Sequence, residues 1–399
     1  MPERYNLILN CGSSSVKYKV FISNTETCIA KGIVEKIGSR EAGIKHKTEN
    51  QKIHKVAEVL SHKKAIQLIL NFLLHKEKGI IKNASNIKAV GHRFVHGGKY
   101  SDAVIVTKEV KTYLKDVTFE LAPLHNPYNF QGVEAIEDIL PEIPNICVFD
   151  TSFHQTIPDY AFIYGLPYRY FQKYKIRRYG FHGTSHNYVY LEAAKLLKKK
   201  KASVITCHLG NGSSISAIKD GMCIDTTMGY TPLEGLIMGT RSGDVDPAAV
   251  LHIMMEEELQ IHEMETILNK QSGLLGISGI SNDMREILKE KGKGNPRAIL
   301  AFRAYCFRVK KYIGAYLGEL NGCDAIVFTA GIGENAPQVR EEVLKNMENL
   351  GIKLDTKKNA QVVGEKGIIS ADTSKIKVFV IPTNEELMIS KIIDKLVKE

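Results

Sequence analysis

Residues 5–23 read YNLILNCGSSSVKYKVFIS, and they set a pattern that returns later in the chain. Residues 5–9 are a short apolar run typical of a buried strand, residues 11–15 form a glycine- and serine-rich turn, and residues 16–23 predict a second strand. The backbone N–H groups of such a turn can point at phosphate oxygens, because small residues allow close approach. The alternative is an ordinary tight hairpin, since glycine and serine are common turn residues.

A second hairpin of the same kind follows nearly two hundred residues later. Residues 202–219 read ASVITCHLGNGSSISAIK, with an apolar strand at 202–207, a glycine/serine turn at 208–214 and a strand at 215–219. Two such hairpins, one in each half of the chain, indicate an internal duplication. If the two turns faced each other, they would clamp a polyphosphate from both sides.

The rest of the chain alternates strands and helices, which predicts an α/β protein. A third strand leads into glycines at 325–335 (AIVFTAGIGEN), and strands also end at Val90 and at Asp150. Helical patterns cover residues 55–75, 187–200, 246–268 and 296–320. A final helix carries an apolar stripe, with Thr383 and Glu386 spaced as a capping box and Glu385 left to point elsewhere.

Length and composition fit a two-domain globular protein. The chain has 399 residues, 44% hydrophobic and 25% charged, which excludes a disordered chain or a small disulfide scaffold. The seven cysteines include no C-x-x-C pair, which argues against a disulfide framework and a structural zinc site. No targeting segment is visible, so we expect a cytoplasmic protein.

The net charge of +10, from 54 basic and 44 acidic residues, suits nucleic acid, a membrane surface or a small anion. The lysine run at 198–201 closes a helical pattern, where cations complement the helix dipole and face solvent. No basic stripe is interleaved with aromatic residues, and no apolar run is long enough to span a bilayer. We therefore expect neither a nucleic-acid nor a membrane partner, and a small anion remains.

The sequence lacks the two commonest phosphate-binding motifs. No P-loop sequence is present, and Gly331-x-Gly333 lacks the third glycine of the dinucleotide fingerprint. Asp150 ends a strand, where it could hold Mg²⁺ through water or could instead cap a helix.

Arg93 and Arg241 are flanked by glycines and lie off any helical periodicity. Their planar guanidinium groups suit carboxylate or phosphate oxygens, and the alternative is a structural ion pair, for example of Arg241 with Asp244 or Asp246. A loop histidine such as His125 could donate to a transferring phosphoryl group or be a satisfied loop residue. From the residues alone, the constellation indicates ATP-dependent phosphoryl transfer to a small anionic acceptor.

The chain resembles the acetate kinase family, within the larger group of actin-, Hsp70- and sugar-kinase-like ATPases. The similar stretches follow the family order over nearly the whole chain: residues 10–17, 91–98, 149–156, 179–186, 208–214, 225–246, 331–336 and 382–386.

This resemblance implies a duplicated ribonuclease-H-like fold, with an active-site cleft between the domains. The first domain would comprise residues 1–150 plus 386–399, and the second residues 151–385. Family members are homodimers that convert ATP and acetate reversibly to ADP and acetyl phosphate with Mg²⁺, for which Mn²⁺ can substitute.

The resemblance also implies roles for individual residues. It assigns Asn10 and Glu385 to the metal, and catalysis to Asp150, Arg93, Arg241, His182 and His125. Arg93 would also bind acetate, whose methyl group would contact Val95, Leu124, Phe181 and Pro232. The implied ATP-binding residues are Lys17, Ser13, Ser15, His208, Gly210, Asn211, Gly212, Asp283, Arg285, Gly331, Ile332 and Asn335.

Two alternatives remain open at this point. A kinase for propionate or another short-chain acid would share the site, although Val95, rather than a smaller residue, favours acetate. A non-enzymatic, ATP-switched binding protein would share the fold, although it would not need paired arginines for a small carboxylate. The polar segment 41–55 matches nothing in the resemblance.

Overall fold

The first hairpin forms as predicted in a computed structural model that describes residues 3–122 and 125–398, apart from the side chain of Glu120. Strand β1 (Tyr5–Gly12) pairs antiparallel with β2 (Ser15–Ile22), with Gly12 opposite Ser15. The turn is therefore two residues long. β1 is buried over most of its length, and β6 (Ile87–Phe94) pairs with it in parallel on its other edge.

The chain forms two compact units, and the first comprises residues 1–152 and 384–399. Its eight-stranded sheet has the order β5-β4-β3-β2-β1-β6-β8-β7. The remaining strands are β3 (Cys28–Glu35), β4 (Gly43–Thr48), β5 (Lys52–Val56), β7 (Val104–Ile105) and β8 (Asn145–Phe149). Its helices are α1 (His62–Leu73), α2 (Lys108–Tyr113), α3 (Phe119–Leu121), α4 (Asn126–Ile139) and α16 (Glu385–Leu396), with a 3₁₀ turn at Ala84–Asn86 and a π-helical turn at Leu114–Thr118.

Helices cover both faces of this sheet. Leu7 and Leu9 of β1 belong to one hydrophobic core with residues of α1 and α4. Ile8 points to the opposite face, because side chains alternate along a strand. There α16 packs so closely that a Cβ at Gly91 would lie 2.6 Å from Ile389 Cγ2. Position 91 therefore needs glycine.

A buried polar cluster fixes α16 to the first sheet. The Asp394 carboxylate accepts hydrogen bonds from Asn6 Nδ2 (2.9 Å) and Ser23 Oγ (2.7 Å), and it pairs with Lys88 Nζ at 3.3 Å. The side chain of Lys88 is only 4% exposed, so this charge is almost wholly removed from water. The C-terminal helix is consequently anchored at the opposite end from Glu385, its first residue.

The second unit comprises residues 153–383, with a six-stranded sheet in the order β11-β10-β9-β12-β14-β13. Its strands are β9 (Ser203–Leu209), β10 (Ser213–Lys219), β11 (Met222–Thr226), β12 (Ala325–Thr329), β13 (Gly367–Ile368) and β14 (Lys377–Val380). Its helices are α5 (Asp159–Phe162), α6 (Tyr168–Tyr174), α7 (Gly183–Leu197), α8 (Pro247–Glu256), α9 (Ile261–Thr266), α10 (Gly273–Ser278), α11 (Met284–Gly292), α12 (Pro296–Glu319), α13 (Ala330–Asn335), α14 (Pro337–Leu344) and α15 (Thr356–Gln361). Short 3₁₀ turns lie at Glu348–Leu350 and, at the junction of the units, Ser152–Thr156; a π-helical turn lies at Ile267–Gln271.

The two units repeat one strand order. In each, three successive antiparallel strands are followed by two strands parallel to the first: β3-β2-β1-β6-β8 and β11-β10-β9-β12-β14. The parallel strands β8 and β12 are buried along their whole length, which is the rule for parallel strands covered by helices. The predicted α/β fold and its duplication are therefore confirmed.

Several predicted element boundaries are wrong. Segment 41–55 holds the β4–β5 hairpin, and helix α1 begins only at His62, after its N-cap Ser61. The helical pattern at 246–268 is interrupted, giving α8 and α9.

The capping box also differs. The Asn384 side chain caps α16 by accepting from Leu387 N at 3.4 Å, while Thr383 bonds to Ser185 and Glu386 pairs with Lys19.

All seven cysteines are free. Five of them lie buried in strands or helices: Cys11, Cys147, Cys207, Cys223 and Cys306. Among the described helices, none is both long and apolar enough to cross a membrane.

Candidate active site

Three predicted site residues of the first unit lie at adjacent strand ends. Asn10 is near the carboxyl end of β1, Arg93 is near that of β6, and Asp150 directly follows β8. These three strands are parallel neighbours in the sheet. The carboxyl ends of parallel strands are where α/β proteins place ligands.

Arg93 is held by two carboxylates. Its Nε and Nη2 donate to the two oxygens of Asp150 at 2.9 and 2.8 Å, and its Nη1 lies 2.8 Å from Glu385 Oε2. The Arg93 side chain is 20% exposed and that of Asp150 only 4%. In this structure Arg93 therefore forms the ion pair that the sequence left open, and Asp150 does not act as a helix cap.

The electrostatics of this cluster follow from its burial. Burial alone would lower the pKa of Arg93, but the charges of Asp150 and Glu385 raise it well above its usual range. Burial raises the pKa of Glu385 to about 7, and Arg93 opposes that shift. With both carboxylates ionised the cluster carries one net negative charge, which a cation would neutralise.

Two side chains that the sequence did not reveal support the first hairpin. His62 Nε2 donates to Gly12 O at 2.7 Å, and Asn129 Nδ2 donates to Cys11 O at 2.5 Å. Asn129 also accepts from Val95 N at 3.3 Å, so it ties the hairpin to the segment after Arg93. Neither residue stands in a recognisable motif, since both lie within helices far away in sequence.

The other predicted residues of the first unit are less constrained. Ser13 is exposed in the turn, Ser15 begins β2, and Lys17 is exposed on that strand. His125 occupies the N-cap position of α4, and its N–H donates to Ala122 O at 3.1 Å. Leu124 lies outside the described residues.

In the second unit, the β9–β10 turn lies beside a pair of histidines. His208, in β9, stacks on His182 with ring centroids 4.1 Å apart, and Ser185 Oγ lies 2.8 Å from His208 Nδ1. The turn residues Gly210, Asn211 and Gly212 are held in part by Asn211 O, which accepts from Gly239 N at 2.9 Å. A Cβ at Gly239 would collide with Asn211 Oδ1, so the close approach requires glycine.

Arg241 has a different environment from Arg93. Its Nη1 donates to Pro232 O at 3.1 Å, and burial lowers its pKa. No carboxylate of the described residues pairs with it: Asp244 instead accepts from Gly235 N and Tyr312 OH, and Asp246 caps α8. The alternative of a structural ion pair for Arg241 is therefore wrong.

The loop that carries Pro232 is held in place by hydrogen bonds to Glu234. Arg178 Nη2 donates to Glu234 Oε1 at 2.7 Å, and its Nη1 donates to Thr226 O at 2.8 Å. Tyr164 OH donates to the other oxygen of Glu234 at 2.5 Å. Arg178 and Tyr164 were not predicted, because their partners are distant in sequence. Phe181 is buried nearby in the chain, where its carbonyl accepts from His154.

A pocket of about 640 Å³ lies in the second unit. This is the usual size of a small-molecule site. Seven of its lining residues were predicted to bind ATP: Gly210, Asn211, Asp283, Arg285, Gly331, Ile332 and Asn335. Asn282, Met284, Leu288 and Ala336 complete it and were not predicted. Arg285 is fixed over one side by Asp283, with Nη2 and Oδ2 2.5 Å apart.

Three features define a phosphotransferase of the nucleotide-dependent class: an α/β core used twice, a nucleotide-sized pocket, and a half-buried guanidinium that has no carboxylate partner among the described residues. Comparison with known proteins gives the family. The model of the acetokinase family matches residues 5–391, and the chain belongs to that family. The family resemblance found in the sequence is thereby confirmed.

Relatives match over nearly their whole length. The acetate kinase of Caldicellulosiruptor saccharolyticus is 52% identical over 399 residues, covering 98% of this chain and 99% of the relative. A crystal structure of Porphyromonas gingivalis acetate kinase has a TM-score of 0.94 at 46% identity, covering 99% of this chain and 100% of that one. The crystal structure of a propionate kinase from Francisella tularensis has a TM-score of 0.91 at 43% sequence identity, and the match covers 98% of both chains.

Proposed function

We propose that this protein transfers the γ-phosphoryl group of ATP to acetate, reversibly and directly, giving ADP and acetyl phosphate. One structural observation carries the proposal: the half-buried Arg241 guanidinium has no carboxylate partner among the described residues. A desolvated cation without a counter-ion is costly, so the site gains most when an anion binds. The acetokinase family membership of the chain supports acetate or the transferring phosphoryl group as that anion.

We assign the nucleotide to the second unit. The 640 Å³ pocket would hold adenosine against Gly331, Ile332 and the Asp283–Arg285 pair. Asn211 and the glycines of the β9–β10 turn would meet the phosphates through backbone N–H groups. His208 would support the same turn. Ser13, Ser15 and Lys17 would contact phosphate oxygens from the first hairpin.

A magnesium ion fits the donor set of the first unit. Asp150, Glu385 and Asn10 offer carboxylate and amide oxygens, which Mg²⁺ prefers, and it commonly takes its remaining ligands from water and phosphates. Among the described residues, no group of three His, Cys, Asp or Glu side chains is arranged as an all-protein metal site. When bound, Mg²⁺ or Mn²⁺ would supply charge neutralisation at the phosphate oxygens.

The residues of this chain would perform the remaining tasks. Acetate is ionised near neutral pH, so no general base is needed. Arg93 and Arg241 would hold the carboxylate and the phosphoryl oxygens in line, and His182, supported by His125, would donate to the developing charge. Val95, Leu124, Phe181 and Pro232 would contact the methyl group.

The test is trapping of the acyl phosphate as a hydroxamate, with ATP and Mg²⁺ and with acetate, propionate or butyrate as acceptor. We expect the highest kcat/KM with acetate and a lower value with propionate, because one methylene discriminates by only about 1–3 kcal/mol. A higher kcat/KM with propionate would replace the proposed substrate. Acetate-independent ATP hydrolysis without hydroxamate would instead support an ATP-switched binding protein.

We further propose that the protein is a cytoplasmic homodimer that uses α8. This helix is apolar along most of its length, yet none of its residues is buried, and Leu251 and Met255 are 62% and 72% exposed. A contiguous exposed apolar face is typical of a protein–protein interface. Leu251→Asp should produce monomers in sedimentation velocity, whereas Leu350→Asp, at a leucine that is 55% exposed, should not.

A further inference from the structure

A chain of four polar side chains runs through the interior of the second unit to His182. Thr206 Oγ1, in β9, lies 2.7 Å from His186 Nδ1, and His186 Nε2 lies 2.7 Å from Ser214 Oγ. Ser214 Oγ in turn lies 2.9 Å from His182 Nδ1. Thr206, His186 and Ser214 are completely buried, so their hydrogen bonds can be counted within the protein.

Each member of the chain has a limited number of protons. Burial lowers the pKa of His186 well below its ordinary value, and the nearby His154 and His208 lower it further. A neutral imidazole has one N–H, so His186 donates at one ring nitrogen and accepts at the other. Ser214 has one hydroxyl proton for two histidine partners. If every buried hydroxyl proton is to have an acceptor, the whole chain points in one of two directions.

The buried Thr206 hydroxyl determines the direction. Within residues 3–122 and 125–398, His186 Nδ1 is the one hydrogen-bond partner of that hydroxyl. If His186 donated to Thr206, the threonine proton would be buried without an acceptor, which is the costly kind of unsatisfied group. Thr206 therefore donates to His186, His186 donates to Ser214, and Ser214 donates to His182 Nδ1.

We propose that Thr206, His186 and Ser214 are positioning residues that keep the proton of neutral His182 on Nε2. The proposal deepens the proposed function, since it rests on the role of His182 as a donor to the phosphoryl group. Position 212 shows where this edge of the ring lies: a Cβ added to Gly212 would be 3.5 Å from His182 Cε1, from His182 Nε2 and from Arg241 Nη1. The ring edge that carries Nε2 thus faces the same turn as the Arg241 guanidinium.

The backbone at His182 supports this assignment. His182 has φ 57°, in the left-handed region that favours glycine, and it occupies the N-cap position of α7. A non-glycine residue is held there only when its surroundings compensate the strain. The bond from Ser214 and the stacking on His208 provide such contacts.

The direct test is ¹⁵N NMR of the full chain labelled with [¹⁵N]histidine, with the His182 signals identified by their loss in His182→Ala. We expect two-bond ¹H–¹⁵N correlations that show the Nε2–H tautomer for His182 near neutral pH. The Nδ1–H tautomer in the unsubstituted protein would overturn the proposal.

Thr206→Val removes the proton that sets the direction and keeps the shape of the side chain. We expect the Nε2–H to Nδ1–H ratio of His182 to fall by about tenfold. kcat should fall in proportion to the Nε2–H fraction, with KM for ATP and acetate within about twofold of the parent values. Thr206→Ser keeps the hydroxyl and should restore both the ratio and kcat.

The matched control is Thr226→Val, which removes another fully buried threonine hydroxyl, bonded to Ser216 Oγ at 2.9 Å and to Ile215 O at 3.0 Å. This variant keeps the Thr226 carbonyl that accepts from Arg178. It should leave the His182 tautomer and kcat unchanged. An unchanged tautomer in Thr206→Val, or an equal change in Thr226→Val, would refute the relay. The role of His182 is tested separately by the activity of His182→Ala, so the two failures are distinguishable.

Discussion

Arg93 and Arg241 occupy similar sequence contexts but opposite electrostatic environments. Arg93 forms ion pairs with Asp150 and Glu385, whose charges raise its pKa above the usual range. Arg241 contacts the neutral carbonyl of Pro232, and burial lowers its pKa. Carboxylates compensate the charge of Arg93, whereas no carboxylate of the described residues pairs with Arg241.

This difference suggests that the two arginines have different roles, one in stability and the other in anion binding. A compensated arginine at a carboxylate cluster orders groups that a divalent cation can use, and it contributes to the stability of the first unit. An uncompensated arginine contributes little to stability and much to anion binding. Substitutions should therefore separate the two roles.

The largest expected effect is a loss of activity on substitution of Asp150, one of the two carboxylates that hold Arg93. Asp150→Asn removes a proposed magnesium ligand and one of the two anions of Arg93, so kcat in the hydroxamate assay should fall by about a thousandfold or more. Asp138→Asn, which breaks the exposed pair with Lys63, is the control and should retain full activity. Comparable activity of the two variants would contradict the assignment of Asp150.

The two arginines should differ most clearly in folding stability. Arg93→Met leaves two buried carboxylates unpaired and should reduce the free energy of unfolding at neutral pH by about 3–5 kcal/mol. Arg241→Met removes an unpaired desolvated cation and should leave that free energy unchanged or raise it. Urea denaturation measures the free energy of unfolding of both variants. Equal losses in Arg93→Met and Arg241→Met would contradict the difference between the two arginines.

Asp394, which anchors α16 to the first sheet, bears on the comparison of Arg93 with Arg241, because α16 begins with Glu385, a partner of Arg93. Burial alone would raise the pKa of Asp394, but hydrogen bonds from Asn6 and Ser23 lower it below its ordinary value. A depressed folded-state pKa gives stability that is present above the unfolded value, near 4, and is lost as the pH falls through the folded value.

Asp394→Asn should therefore cost about 2 kcal/mol at pH 7 and less as the pH falls below about 4. Urea midpoints measured between pH 7 and pH 3 test this expectation. A difference between the variant and the parent that stays constant over this range would show that the ionised carboxylate has no special role.

The smallest expected effect concerns Val95, two residues after Arg93. Val95→Ala should enlarge the space for the acyl chain and raise the propionate-to-acetate ratio of kcat/KM by about tenfold. Arg93 keeps both of its carboxylates in this variant, so the free energy of unfolding should change little. An unaltered acid preference would remove Val95 from the substrate site.

Much of the fold follows from local sequence, and the exceptions have physical causes. The β1–β2 and β9–β10 hairpins are apolar strands around small turn residues, so pattern alone predicts them. The β4–β5 hairpin was missed because two of the three buried positions of β4, His46 and Thr48, are polar and hide the alternation. The capping box failed because Thr383 bonds to Ser185, which is distant in sequence.

The site shows the same division between local and long-range information. Residues in glycine-rich turns or at strand ends, such as Asn211 and Asp150, can be found from local pattern and resemblance. Supporting residues such as Asn129 and Arg178 act through partners that only the folded chain brings near. That Arg241 has no carboxylate partner within residues 3–122 and 125–398 is likewise a property of packing, since Asp244 and Asp246 are close in sequence and bond elsewhere.

The most direct test of the central claim is the stabilisation of the protein by acetate, with sodium chloride at equal ionic strength as the reference. If acetate supplies the missing counter-ion of Arg241, a concentration one hundred times its Kd should stabilise the parent by about 2.7 kcal/mol. The account predicts that this stabilisation is lost in Arg241→Met. The same acetate-dependent stabilisation in Arg241→Met and in the parent would contradict it.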